Sequence, residues 1–160
     1  MNKKVEEALT LERVELMFKN FAGERRRYNN EGDRNFSVRI TSPKLAAEIA
    51  QLGWNVRELK ARDEDSEPEW HLPVRVSYRY FPPRVVVIKR NGKLYLDEDN
   101  IQMIDRTRVI SADLVLNPHN WTSEDGNSGV TAYLREMWVT LEESKFGEKY
   151  GDLPDINRQR

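Results

Sequence analysis

The chain of 160 residues contains no cysteine. This absence excludes disulfide bonds, thiolate zinc sites and cysteine nucleophiles in one step. Long apolar runs are missing as well, since no stretch approaches the roughly 20 apolar residues that cross a bilayer. The charged N-terminus has no apolar run behind it, so we expect no signal peptide, no membrane association and a cytoplasmic location.

Residues suited to catalysis are scarce. The two histidines, His71 and His119, are far apart and neither has the spacing of a metal ligand. The acidic clusters at 63–65 and 97–99 are adjacent carboxylates, which point to opposite sides of a strand or lie solvated in a loop. No phosphate-binding glycine loop or Gly-x-Ser-x-Gly elbow is present. We therefore predict no enzyme, no cofactor and no metal, with a magnesium nuclease using Asp97 and Asp99 as the least favoured alternative.

The charge is balanced overall but unevenly distributed. The net charge is −1, whereas proteins that bind nucleic acid through charge alone are strongly basic. Residues 19–34 contain five basic and three acidic side chains, and residues 62–69 contain one basic and five acidic ones. A basic face can therefore exist on a neutral molecule. The length and the 38% hydrophobic content predict one domain over 8–146, with a flexible tail over 147–160.

Alternating apolar and polar residues predict three early strands, over 10–18, 35–40 and 71–79. Their apolar faces comprise Val14, Leu16 and Phe18; Phe36, Val38 and Ile40; and Leu72, Val74, Val76 and Tyr78. On the third strand Arg75 and Arg79 share the polar face, and Pro73 indicates that the strand begins at a sheet edge. The polar, glycine-containing stretch 19–34 predicts a long loop, which is uncommon unless it has a function.

The clearest helix follows the second strand. Ser42 and Pro43 form an N-cap followed by a proline at the first helical position, and apolar residues recur at helical spacing until Gly53. Trp54 comes directly after this glycine, so we expect it to pack back onto the helix end.

The second half predicts further strands. The β-branched run 84–88 turns at Asn91-Gly92 into 93–96, a strong hairpin signal. One helical turn is expected over 97–105, capped by Asp97, with Ile101 and Ile104 on one face. Two long strands, 107–116 and 129–141, are joined by a polar loop over 122–128. Simple alternation puts Tyr133 and Trp138 on opposite faces of the last strand.

These elements predict a mainly β protein, an OB-fold-like Greek-key barrel with one α-helix inserted between early strands and a short C-terminal helix. A β-sandwich is the structural alternative. Binding of single strands by such a barrel needs a basic groove and aromatic faces on which bases stack. The candidate DNA-binding residues are Arg25, Arg26, Arg27, Tyr28, Arg34, Arg75, Arg79, Tyr80, Phe81, Arg84, His119 and Trp121. Two alternatives stay open: Arg25–Arg27 as a solvated loop, and Trp121 as a plug of the barrel end.

Several motifs occur together in the second half: an apolar run at 85–88, Asn-Gly-Lys at 91–93, a strand at 112–121 that enters Pro-x-x-Trp, and a closing strand at 130–139. In this order they resemble the replication single-stranded-DNA-binding proteins of short-tailed bacteriophages and related phage proteins of unassigned role. The resemblance implies a barrel that coats single-stranded DNA without sequence preference in replication and recombination. It also implies partners such as a phage polymerase, helicase or recombinase, and a homodimer.

One segment departs from that family, whose better-known members end in a long acidic tail that recruits polymerase. Residues 147–160 here contain three acidic and three basic side chains. A second hypothesis from another class is a protein-interaction module, in which the barrel binds or inhibits a host or defence protein. The balanced net charge and the acidic loop 63–69 favour this alternative slightly.

Overall fold

The protein was analysed as a computed structural model, which describes residues 4–61 and 63–143. This part of the chain contains eight strands and two helices. In chain order they are β1 (Leu9–Asn20), β2 (Arg34–Ile40), α1 (Pro43–Gln51), β3 (Arg57–Glu58), β4 (Trp70–Val76), β5 (Arg84–Lys89), β6 (Gly92–Leu96), α2 (Met103–Arg106), β7 (Val109–Thr122) and β8 (Ser128–Leu141).

Five of these strands close into a barrel. β4, β2, β1, β7 and β8 are hydrogen-bonded in that order, and β8 returns to pair in parallel with β4 through Val74–Ala132 and Arg75–Tyr133. The β5–β6 hairpin extends the sheet beyond β8, and β3 extends it beyond β4. The predicted mainly β, OB-like barrel is confirmed, because a sheet that closes on itself is not a two-sheet sandwich.

Inward-facing side chains of the barrel strands form the core, and the predicted apolar residues within β2 and β4 are buried as expected. Tyr78, which was predicted on the same face, lies beyond the end of β4 and is only partly buried. The predicted buried face of β1 is wrong at the C-terminal end of the strand, because Phe18 is 57% exposed. The pairing of β1 with β2 is irregular between Met17 and Asn20, and Phe18 has a φ of 52°. An irregularity of this kind breaks the period of two on which the prediction rested.

A second irregularity changes the faces of β8. Val115 pairs with Glu136 while Leu116 pairs with Leu134, so Arg135 is an extra residue in the ladder. After this bulge, the alternation of inward-facing and outward-facing residues is shifted by one position. Tyr133 and Trp138 are therefore both half-buried on the outer face, and the expectation that they lie on opposite faces is wrong.

The predicted helix is confirmed as α1. The Ser42 hydroxyl accepts a hydrogen bond from the backbone N–H of Leu45 at 3.2 Å, which stabilises a helix start by about 1 kcal/mol. Gly53 has a φ of 110°, a value that favours glycine. Trp54 then packs into the core with 4% of its surface exposed, as predicted.

The single helical turn expected near residue 100 is confirmed as α2, and Ile101 and Ile104 are both fully buried. Asp97 does not cap α2, which begins later. Its carboxylate instead accepts a hydrogen bond from the backbone N–H of Asp99 at 2.9 Å in the preceding turn.

Several predicted boundaries differ from the structure. β4 ends at Val76, so Arg79 lies beyond the strand and does not share a strand face with Arg75. The turn of the β5–β6 hairpin is formed by residues 90–91, because Lys89 pairs with Gly92. β7 continues to Thr122, so His119 and Trp121 lie within a long hairpin arm.

The predicted domain begins at residue 8, yet residues before this point join the barrel. Val5 is 5% exposed, and its backbone N–H and C=O both hydrogen-bond the side-chain amide of Asn120, at 3.0 and 2.7 Å. The short C-terminal helix and the flexible tail predicted for 147–160 lie outside the described residues. Over 4–61 and 63–143, no helix is long and apolar enough to span a membrane.

Candidate nucleic-acid interface

A wide groove of about 1460 Å³ lies on the barrel surface where β2, β4 and β8 meet. One wall is the loop before β2 and the other is the β7–β8 hairpin, and the end of α1 and the chain after β4 complete the lining. We call this feature the barrel groove. Because its floor is formed by neighbouring barrel strands, the fold fixes the positions of the side chains that face it.

The barrel groove brings together half of the predicted binding residues. Those that line it are Tyr28, Arg34, Arg75, Arg79, Tyr80 and Trp121. Those that do not line it are Arg25, Arg26, Arg27, Phe81, Arg84 and His119. The twelve residues therefore do not converge on one surface.

The long loop between β1 and β2 is held in place by a buried side chain. Phe21 is fully buried and stacks on Phe36 with ring centroids 5.0 Å apart. The carboxylate of Asp105 accepts hydrogen bonds from the backbone N–H groups of Phe21 and Ala22, at 2.8 and 2.9 Å. The loop is thus a fixed wall of the groove.

A side-chain amide connects the tip of this loop to β2. The two N–H groups of the Asn29 side chain are shared among the backbone carbonyl oxygens of Glu24, Asn30 and Asp33, at 2.8 to 3.1 Å from Nδ2, and its oxygen accepts from the Asn35 side chain at 2.7 Å. Because one residue satisfies four polar contacts, the loop keeps one shape. This shape presents the neighbouring Tyr28, which is 90% exposed.

Arg34 and Tyr78 form one end of the groove floor. Arg34 donates to the carbonyl oxygen of Phe21 at 2.6 Å, and its guanidinium carbon lies 5.6 Å from the centre of the Tyr78 ring. Tyr78 packs against the core as predicted, but it also lines the groove.

The hydroxyl of Tyr78 is buried and has no hydrogen-bond partner among the described residues. Burial raises the pKa of Tyr78 to about 12.

Trp121 stands on the opposite wall, 41% exposed. It pairs across the hairpin with Gly129. A β-carbon at position 129 would lie only 2.7 Å from Cζ2 of the indole. The indole therefore lies over the backbone of Gly129, and Trp121 lines the groove rather than plugging the barrel.

We expect Gly129→Ala to destabilise the protein by about 1 to 3 kcal/mol, because the added methyl group overlaps the Trp121 ring. Chemical denaturation monitored by circular dichroism measures the change. The double variant Gly129→Ala with Trp121→Ala is the control, since the clash disappears with the indole and the two losses should not add. Simple additivity in this cycle would contradict the contact.

Arg75 and Tyr133 lie side by side on the groove floor, paired between β4 and β8. The His119 ring contacts Tyr133 edge-on at 5.9 Å, so His119 supports a groove residue without lining the groove. Arg79 lies 5.4 Å from the Tyr80 ring centre. Tyr80 and Phe81 are 71% and 86% exposed at the tip of the loop after β4.

The three consecutive arginines lie beside the groove. Arg26 pairs with Asn29 through two backbone hydrogen bonds of 2.9 and 3.1 Å, and its guanidinium lies 3.9 Å from Glu24. Arg27 lies 5.4 Å from the Tyr28 ring centre. All three side chains are exposed, and both predictions for them, DNA contact or solvated loop, stay predictions.

Sequence reasoning missed Arg57, Tyr133 as a definite groove residue, and Gly129. Arg57 is exposed on the two-residue strand β3. Together with Arg34, Arg75 and Arg79 it gives the lining four arginines, against Glu31, Asp33 and Glu98. The lining is weakly basic.

Other polar residues serve the fold. His71 hydrogen-bonds the Ser37 hydroxyl through Nδ1 at 2.9 Å, and burial, helped by Arg57, lowers the pKa of His71. Lys19 donates to the carbonyl oxygens of Ile104 and Thr107, each at 2.8 Å. Within 4–61 and 63–143, no group of three or more carboxylates and histidines is arranged to hold a metal ion.

Comparison with known proteins gives one family match over the whole chain. The model of the "Putative phage ssDNA-binding domain" family matches residues 1–160. Among curated proteins, none matches the sequence.

Similar solved structures include those of two phage proteins. The C-terminally truncated single-stranded DNA-binding protein of bacteriophage Enc34 superposes with a TM-score of 0.55 and 13% identity, over 86% of this chain and 87% of that one. This likeness supports the barrel fold. Gp2.5, a single-stranded DNA-binding protein of bacteriophage T7, aligns with a TM-score of 0.48 and 9% identity, over 96% and 98% of the two chains.

Proposed function

Because the chain belongs to the family of phage single-stranded-DNA-binding domains, matched over all its residues, we propose that it binds single-stranded DNA in the barrel groove. The observation that supports this site is the meeting of exposed aromatic rings and arginines on one surface. Tyr28, Tyr80 and Trp121 provide the rings, on three separate segments of the lining.

The mechanism follows from these side chains. The groove arginines neutralise backbone phosphates, and successive bases stack on the rings, each stack contributing roughly 1–3 kcal/mol. Every base has a π-face, so such binding is independent of sequence. The matched family is one of DNA-binding domains, so the proposed role is binding without catalysis.

We propose that this binding protects single strands during phage DNA replication or recombination, in the cytoplasm of the infected cell. The family relationship supports that setting. We also propose that the protein contacts a phage polymerase, helicase or recombinase and that it forms a homodimer. Co-purification with each partner would test the contacts, and sedimentation would test the dimer.

The groove predicts a measurable dependence on salt. For single strands, the slope of log affinity against log salt concentration is about −0.7 for each phosphate contact. Four arginines that each contact one phosphate therefore predict a slope of roughly −2 to −3. Binding of labelled oligothymidine at several salt concentrations gives this slope. Arg75→Ala should make it shallower by about 0.7, whereas Arg108→Ala, an exposed arginine outside the groove lining, should not change it.

A salt-independent affinity would contradict the groove mechanism. The same reaction mixtures, incubated with magnesium, test whether the protein binds DNA without cleaving it. The oligonucleotide should be recovered intact, and its degradation would contradict a purely binding role.

A further inference from the structure

A second cluster of cations and aromatic rings lies on the outer face of β5, β6 and β8. Arg84 lies 5.5 Å from the ring centre of Tyr95, and Lys93 lies 5.7 Å from Tyr95 and 5.5 Å from Trp138. We call Arg84, Lys93, Tyr95 and Trp138 the outer patch. None of them lines the barrel groove.

The sheet register explains why these residues meet. Val86 of β5 pairs with Tyr95 on one side and with Trp138 on the other, and directly paired residues share a face. Val86 is fully buried but stands apart from the barrel core. The rings of Tyr95 and Trp138 therefore lie on either side of the Val86 side chain, which helps to fix their positions.

The outer patch holds two cations close together. Arg84 donates to the Tyr95 hydroxyl at 3.4 Å, and Lys93 also interacts with Tyr95. Over the described residues neither cation forms an ion pair. The nearby carboxylate of Glu136 accepts a hydrogen bond from the Trp138 indole at 2.7 Å. Glu136 is also the partner of Arg84 in the sheet register and attracts its guanidinium electrostatically. The two adjacent cations therefore outnumber the one carboxylate beside them, and the surplus positive charge is suited to an anion such as a phosphate.

Two features connect the outer patch to the barrel groove. Because of the bulge at Arg135, the outer face of β8 continues from Tyr133 in the groove to Trp138 in the patch. Five residues of strand separate them by about 15 Å. The same residues would face different sides of the sheet without the bulge, so the fold creates this continuity.

The loop between β4 and β5 follows the same path. β4 leaves β8 where Arg75 pairs with Tyr133, and β5 joins it where Arg84 pairs with Glu136. The loop between them therefore stands beside the stretch that separates groove and patch. Its tip presents Tyr80 and Phe81, both mostly exposed.

We propose that the outer patch is a second contact site for the same single-stranded DNA, reached from the barrel groove past Tyr80 and Phe81. Arg84 and Lys93 bind backbone phosphate, while Tyr95 and Trp138 hold the cations and offer edges to a base. The inference rests on the proposed function, which it extends from one groove to a longer track. It also gives Phe81 and Arg84, which lie outside the groove lining, a place on the DNA path.

The test is a length series of oligothymidines from about 4 to about 20 nucleotides, which spans the roughly 4–16 nucleotides that one such fold covers. The double variant Lys93→Ala with Tyr95→Ala removes exposed side chains only. We expect it to bind the shortest oligonucleotides like the wild type. Its affinity should stop rising at a shorter length, leaving it at least fivefold weaker for the longest ones.

Lys44→Ala, an exposed lysine on α1, is the matched control and should follow the wild-type curve. Equal affinities of the double variant and the wild type at every length would overturn the second site, as would an equal loss at every length. The former result would also direct attention to a protein ligand for the patch. If the wild type bound no length of oligonucleotide, the proposed function itself would fail, a result distinct from both.

Discussion

Replacing Trp121 by alanine is expected to weaken binding of single-stranded DNA by about 5- to 150-fold, the equivalent of one lost stacking contact. The indole is well exposed, faces the barrel groove and is fixed over Gly129. A base that stacks on it meets a ring that is already in position, so little entropy is lost. Fluorescence anisotropy with labelled oligothymidine measures the change.

Phe18→Ala is the matched control, because Phe18 is also an exposed aromatic residue but lies outside the groove lining. It should leave the affinity unchanged. Trp121→Phe should recover much of the lost affinity, since a smaller ring still stacks. If Trp121→Ala and Phe18→Ala behaved alike, the groove would not be the DNA-binding surface.

The second large effect is expected on stability. Phe21→Ala should lower the free energy of unfolding by about 3 to 5 kcal/mol, the usual cost of removing a buried phenyl ring. The residue lies in a loop, but its side chain is fully buried against Phe36. Chemical denaturation at neutral pH measures the loss.

Tyr28→Ala in the same loop is the control for this variant. Tyr28 is almost fully exposed, so its removal should change stability by less than about 0.5 kcal/mol. It should still weaken DNA binding, because its ring lines the groove. A loss below about 1 kcal/mol for Phe21→Ala would show that the loop is not anchored as the structure indicates.

The buried strands and the helix were predictable because local signals and tertiary packing agree there. β2 and β4 alternate strictly in sequence, and α1 has a cap, a proline and a stop glycine within the twelve residues 42–53. The β-branched run of β5 and the following Asn-Gly pair also sufficed to predict a hairpin, with its turn displaced by one residue. Each of these signals depends on neighbours in the chain.

Alternation failed where the ladder is irregular. The exposure of Phe18 and the shared face of Tyr133 and Trp138 both result from an extra or misaligned residue in a strand. Bulges follow from the pairing of strands distant in sequence, and a single sequence gives little indication of them. The predicted site contained the same errors, because its strand residues were assigned to faces by alternation.

The sequence by itself determined the type of fold, the supply of arginines and aromatic rings, and the motif order that resembles phage DNA-binding proteins. Only the tertiary structure decided which of those side chains share a surface. Barrel closure brings the loop before β2 and the hairpin of β7 and β8 to one groove, and the bulge at Arg135 turns Trp138 outward. The physical reason is that composition and local propensity are properties of the chain, whereas the convergence of distant residues depends on strand register and closure.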